Sequence, residues 1–248
     1  MKSIDIILPN YNSVNTISAT IKSVLKQTYK NWTLIVIDDG SNELTKNILL
    51  KYKNHSKIKI FFLKKNKGAA YCRNLAIKKS KSDYLAFIDS DDLWGENKLK
   101  LQMSFMQKNN YFFTYTNYKT FKINRAVKKK ILVPNKFNFN SFVKNTSIAT
   151  STMIVKRSLA HRVKFSNTKI CEDYYYKCQL LKKIGNAYCY PAYLTEYQIR
   201  DGSLQSSRFR NLYWIWKINK SLNNFNFLEN LISVFSISLN SLKKYGFR

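Results

Sequence analysis

Apolar runs too short for helices alternate with stripes at helical spacing through the first hundred residues, and that rhythm constrains the fold more than any other feature of the chain. Ile4 to Leu8, Leu34 to Ile37, Ile58 to Leu63 and Tyr84 to Ile88 have the length and content of strands. Between the first two, Val14, Ile17, Ile21, Val24 and Leu25 recur at helical spacing, and Leu99, Met103 and Met106 repeat the pattern later. A run such as Tyr84 to Ile88, with no polar break, belongs in a strand covered on both faces. The alternation therefore predicts an α/β fold, a mainly parallel sheet with helices on both sides.

The pattern changes after residue 110. From Tyr111 to Val133 the chain is aromatic, β-branched and lysine-rich, which predicts antiparallel or edge strands, and Thr152 to Val155 reads as another short strand. A helix is expected from Glu172 to Gly185, a residue suited to a C-cap. With no internal repeat and no Gly/Ser linker, residues 1–207 read as one domain. Residues 208–248 form a distinct basic, aromatic segment. In it Arg208, Arg210, Lys217 and Lys220 flank Tyr213, Trp214 and Trp216, and Phe225 to Leu242 precedes Lys243, Lys244 and Arg248. Such amphipathic helices suit a membrane headgroup interface or a packed helical pair.

Carboxylates are scarce and grouped. The chain has 14 Asp and Glu against 43 Lys and Arg, a net charge of +29, yet seven of the acids fall in three clusters, Asp38/Asp39, Asp89/Asp91/Asp92 and Glu172/Asp173. Like charges held together cost free energy unless a cation or a proton offsets them. The aspartate trio directly follows the run Tyr84 to Ile88, and the carboxyl end of a strand is where open α/β sheets bind ligands. Oxygen ligands there suit a hard divalent cation shared with substrate phosphates. Asp38-Asp39-Gly40-Ser41 reads as a turn and helix N-cap, or as a carboxylate facing a nucleobase. Asn66-Lys67-Gly68-Ala69-Ala70 leads into a helix bearing Arg73, within reach of a base or diphosphate. Glu172 and Asp173 serve either as helix N-terminal acids or as a general base.

Composition excludes several classes. Four cysteines without a C-x-x-C pair and two histidines rule against a zinc site, and free buried thiols are expected. No run approaches the ~18 apolar residues of a spanning helix. Met1-Lys2-Ser3 leads straight into a strand-like run, so a cytoplasmic protein is expected. A pI of 9.9 calls for an anionic partner, whether nucleic acid, phospholipid or polyphosphate.

Taken in order, Ile7-Leu8-Pro9-Asn10-Tyr11-Asn12, Gln27-Thr28-Tyr29, Val36-Ile37-Asp38-Asp39-Gly40-Ser41, Gly68-Ala69-Ala70 with Arg73-Asn74, and Phe87-Ile88-Asp89-Ser90-Asp91-Asp92-Leu93-Trp94 resemble the family 2 glycosyltransferases. The resemblance extends through Glu172-Asp173 and is to the small bacterial enzymes that build capsules, teichuronic acids and O-antigens. It implies a GT-A fold and a UDP-sugar donor, with Pro9, Tyr11 and Asp39 around the uracil and Lys67 and Arg73 nearby. Asp89-Ser90-Asp91 matches the family's D-x-D, in which the first Asp faces the ribose and the last binds Mn2+ or Mg2+. Asp173 matches the catalytic base, with Glu172 beside it. Gln198-Ile199-Arg200 and Ser203 to Ser206 stand where relatives often carry R-x-H-x-x-S-x-S near diphosphate and acceptor, and Arg200 replaces the usual histidine. The Q-x-x-R-W of processive synthases is missing, so one sugar per encounter is expected.

The resulting expectation is an inverting, metal-dependent transfer of a hexose or N-acetylhexosamine to a saccharide on a lipid diphosphate carrier, at the inner face of the cytoplasmic membrane. A nucleotidyltransferase could use the same sheet and acidic site but would release pyrophosphate. A nucleic-acid-binding module would explain the charge and the aromatic content, but not carboxylates gathered at strand ends, and no nucleic acid partner is expected.

Overall fold

The computed structural model describes residues 1–122, 125–199 and 208–245. The first half alternates as the periodicity predicts: β1 (Ile4–Asn10), α1 (Ile17–Leu25), β2 (Trp32–Asp38), α2 (Glu43–Leu50), β3 (Ile58–Phe62), α3 (Ala69–Lys79) and β4 (Tyr84–Phe87). There follow β5 (Leu93–Trp94), α4 (Lys98–Lys108), β6 (Phe113–Lys122), β7 (Arg125–Ile131), β8 (Lys136–Phe137), α5 (Phe139–Phe142), β9 (Ile154–Lys156), α6 (Arg157–Ala160), α7 (Glu172–Ile184) and β10 (Ala187–Gln198). Two helices, α8 (Arg208–Ser221) and α9 (Phe227–Tyr245), complete the described chain.

One mixed sheet runs in the order β3-β2-β1-β4-β9-β6-β10-β5, with β7 on β6 and β8 on β10. The ladders β1–β2, β1–β4, β2–β3 and β6–β10 are parallel, and β9 enters antiparallel between β4 and β6. The apolar runs are continuous because each strand feeds two cores. Ile4, Ile6 and Leu8 face a cluster with α1 and α4, while Ile7 faces a second cluster with α3 and α7, and β2 and β4 divide in the same way. Since β2 and β4 flank β1, the chain reverses its direction of growth there, and the loops after β1 and β4 open a crevice between them.

The segment from Tyr111 to Val133, read as antiparallel or edge strands, does pair antiparallel, β6 with β7 and with β9, and β7 lies on β6 alone. Two points in the second half are corrected. β6 is also an interior strand whose Phe113 to Tyr118 are buried on both faces and which runs parallel to β10. Its lysines start only at Lys119, and the part before them is apolar, aromatic and threonine-rich, which suits a doubly covered strand. Thr152 is not in a strand: Thr150–Thr152 forms a 3-10 turn, and pairing begins at Ile154. The helix predicted to end at Gly185 does so, with that residue at φ 77°. All four cysteines are buried thiols. The tail packs on the main body, with Ile215, Ile218 and Ile237 in the same buried cluster as Phe142 and Tyr174. Among the described residues no helix is long and apolar enough to cross a membrane.

Candidate active site

The loops at the carboxyl ends of β1, β2 and β4 bring the sequence-predicted residues to one rim. Near the end of β1, Pro9 is in register with Ile37 and Asn10 with Asp38, and Tyr11 just beyond is 50% exposed, its ring open to a planar ligand. Asp38 is a buried turn carboxylate that accepts from Asn10 Nδ2 at 2.7 Å, Ser41 Oγ at 2.6 Å and Ser41 N at 3.1 Å. The cap of α2 is Asn42, which accepts from Thr45 N at 3.0 Å. Asp39 reaches the other way, accepting from Lys67 N at 2.7 Å and Gly68 N at 2.8 Å. It ties the β2 loop to the start of α3. Gly40 is needed there, because its φ is +72° and a Cβ would come within 3.0 Å of the Lys65 carbonyl carbon. Lys67 is exposed and its ammonium lies 4.5 Å from the centre of the Tyr71 ring.

Arg73 organises the deeper part. From α3 its guanidinium reaches Asp89 at 2.6 Å and Glu172 at 2.8 Å, joining the β4 loop to the N-terminus of α7. Burial works against its charge, but Asp89 and then Glu172 outweigh that and hold it protonated. Glu172 moves up because burial dominates, although Arg73 pulls it down. Next to it, Asp173 accepts from Lys177 Nζ at 2.7 Å and Thr150 Oγ1 at 3.0 Å. Burial alone would raise the Asp173 carboxyl; the Lys177 ammonium, helped by Arg73 and the Thr150 hydroxyl, reverses this and brings it to about 2. Both bonds fall on Oδ2. Asp173 keeps 22% of its side chain exposed and Lys177 only 4%, so the carboxylate is the open end of the pair.

The aspartate trio divides. Asp89 pairs with Arg73, and Ser90 and Asp91 are half-buried in the loop, whereas Asp92 is fully buried. Asp92 accepts from Gln198 N at 2.9 Å and from the Ser151 hydroxyl, and burial, then Asp91 and Asp89, raise its pKa well above the usual range. With Asp92 taken up in these bonds, the oxygen donors the trio leaves at the loop are those of Asp91 and Asp89. Among the described residues no three His, Cys, Asp or Glu side chains converge as a cage. That donor set fits a hard cation that keeps its waters and shares a substrate's phosphates.

A cavity of about 550 Å³ is lined by the charged Arg73, Asp89, Glu172, Asp173 and Lys177. Apolar Ile148, Phe209, Leu212, Ile215 and Ile237, with Lys244, also line it. Arg200 and Ser206 lie outside the described residues. Sequence reasoning missed Thr150, Ser151 and Lys177. Lys177 carried a signal, its i+4 spacing from Asp173 on one helix; the Thr150–Thr152 turn carried none.

Residues 5–164 match the family described as Glycosyl transferase family 2. Over 98% of its length, and 95% of the relative's, the chain is 36% identical to the Escherichia coli UDP-Glc:alpha-D-GlcNAc-diphosphoundecaprenol beta-1,3-glucosyltransferase WfgD. It is 30% identical to the putative teichuronic acid biosynthesis glycosyltransferase TuaG of Bacillus subtilis, over 97% of this chain and 96% of that one. The crystal structure of S. aureus TarS 1-349 in complex with UDP-GlcNAc superposes with a TM-score of 0.75 at 19% identity, over 97% of this chain and 73% of that one.

Proposed function

The chain belongs to glycosyl transferase family 2, and from that premise we propose an inverting, metal-dependent transfer of a hexose or N-acetylhexosamine from a UDP-sugar to a saccharide on a lipid diphosphate, in bacterial surface polysaccharide synthesis. One observation carries the reading: Asp89, past β4, and Asp173, opening α7, line the same cavity and are bridged through Arg73 and Glu172. The guanidinium thus ties Asp89 to Glu172, the chain neighbour of Asp173. The donor and the acceptor follow the names of the Escherichia coli relative and the TarS complex.

The uracil lies against Tyr11 and Pro9. Each Asp39 oxygen accepts one backbone N–H, which fixes the carboxylate at the side of the crevice where the base is read. Asp91, with Asp89 beside it, would hold Mn2+ or Mg2+, and the bound ion supplies positive charge to the departing diphosphate. Arg73 adds a fixed cation on the same side. Thr150 and Lys177 clamp Oδ2 of Asp173, so Oδ1 is the oxygen that accepts the proton of the acceptor hydroxyl as it attacks the anomeric carbon opposite UDP. Attack from that face inverts the configuration.

The test is UDP release from UDP-Glc and UDP-GlcNAc with an α-GlcNAc-diphospholipid acceptor and Mn2+, with the product's anomeric configuration read by NMR. Asp173→Ala is expected to cut turnover by about 10²–10⁴ while UDP still binds. Near-normal turnover would remove the base, a retained configuration would remove inversion, and pyrophosphate release would mean nucleotidyl transfer.

A further inference from the structure

Helix α9 is amphipathic in the reverse sense of a water-facing helix. The side packed on the protein is largely polar: Asn230 and Ser233 are 1% exposed, Asn230 Nδ2 donates to Trp216 O at 3.0 Å, and Ser233 Oγ donates to Val143 O at 2.6 Å. Asn219 on α8 donates to both of them. The side turned outward is apolar, with Phe227 72%, Leu228 63%, Leu231 48%, Ile232 44%, Phe235 64% and Leu239 43% exposed. These positions recur at intervals of three and four residues, so they form one stripe along the helix. An ordered apolar stripe of this length on a surface marks a contact with another apolar phase.

Charge selects the phase. Among the described residues of the tail Arg210, Lys217, Lys220 and Lys243 are exposed against one exposed acid, Glu229, on a chain of net charge +29. A second copy laid on this face would bring two such segments together, whereas an anionic bilayer offers acyl chains to the stripe and lipid phosphates to the cations. We propose that the outward face of α9 seats in the headgroup region of an anionic phospholipid bilayer. The other side of the same helix, through Ile237, Ser238, Ser241 and Lys244, lines the cavity that contains Asp173. One helix therefore has lipid on one side and the candidate catalytic cavity on the other. If the proposed transfer holds, an acceptor on a lipid diphosphate reaches Asp173 without leaving the surface.

The experiment is co-flotation of the full chain with vesicles of phosphatidylcholine alone or mixed with phosphatidylglycerol, across a salt series. Wild type is expected on the anionic vesicles at least tenfold more strongly than on the neutral ones, and less as salt rises. Leu231→Ser with Phe235→Ser is expected to lower that partition at least tenfold. Unchanged UDP binding would show that the variant is folded. Asp173→Ala should float like wild type whether or not the transfer reading stands, which keeps the two claims separable. Equal flotation of wild type and the serine variant, or none of either, would overturn the proposal, as would a dimer in light scattering that the serine variant splits.

Discussion

One helical turn after Asp173, Lys177 sets its ammonium 2.7 Å from Oδ2, and the pair governs when the proposed base is ionised. Since burial pushes the Asp173 carboxyl up and Lys177, with Arg73 and Thr150, brings it to about 2, the proposed base is ionised at neutral pH. Removing the ammonium leaves the upward push. Lys177→Met is therefore expected to bring an acid limb into the pH profile of kcat, rising about 1–3 units from the wild-type position, and Lys177→Arg to restore the wild-type profile. A Lys177→Met profile superposing on wild type would mean that the lysine only packs. A second lysine gives the opposite case. Lys98 is wholly buried, its Nζ has no hydrogen-bond partner, and burial holds its pKa well below the usual lysine range. The Trp94 ring 4.0 Å away offers up to ~2 kcal/mol to a desolvated cation, less than the several kcal/mol lost on burying an ammonium. Below the usual lysine pKa the unfolded chain binds the extra proton, so stability drops as pH falls toward the depressed value. Lys98→Met should raise Tm at pH 7, by about 2–4 °C per kcal/mol recovered, and flatten that pH dependence in thermal melts.

At the level of elements, the periodicity of the first hundred residues was enough to read β1 to β4, because each strand serves two cores and tolerates no polar break, and α1 between the first two, whereas α2 was not read and α3 was read from the small residues ahead of Arg73. The acidic clusters were legible as positions at strand and helix ends but not as roles. Asp38, Asp39 and Asp92 look like Asp91 in the sequence, yet the structure uses all three to fasten loops. Asp92 is bonded by Ser151 and by Gln198 of β10, contacts made over 59 and 106 residues, and no local pattern reports partners so distant. Their role is to hold the loop carrying Asp89 and Asp91 against the sheet. Asp92→Ala leaves the buried Gln198 N–H without its acceptor and should destabilise the fold by about 1–3 kcal/mol in urea denaturation. With the loop unfastened, KM for the UDP-sugar should rise more than kcat falls. The reverse split would give Asp92 a place in the chemistry itself.

Across the whole molecule the imbalance of charge is the dominant electrostatic fact. An excess of 29 positive charges on 248 residues repels itself in the folded state more than in the expanded chain. Exposed pairs do little against this, since Lys2–Asp83 and Lys46–Glu43 contribute at most ~1 kcal/mol each and are weakened by salt. The central pairs of Arg73 and Lys177 are largely buried and screened far less. Added salt therefore acts mainly on the repulsion. Going from ~0.01 M to ~0.1 M shortens the screening length from about 30 Å to about 10 Å, below the spacing of many like-charged pairs. Tm is expected to rise with sodium chloride over that range, the opposite of a fold held by surface ion pairs. Charge-neutralising variants on the exposed face of α8, such as Lys217→Gln with Lys220→Gln, should raise Tm at low salt and shrink the salt effect. A Tm that falls with salt would show that attractive pairs outweigh the excess.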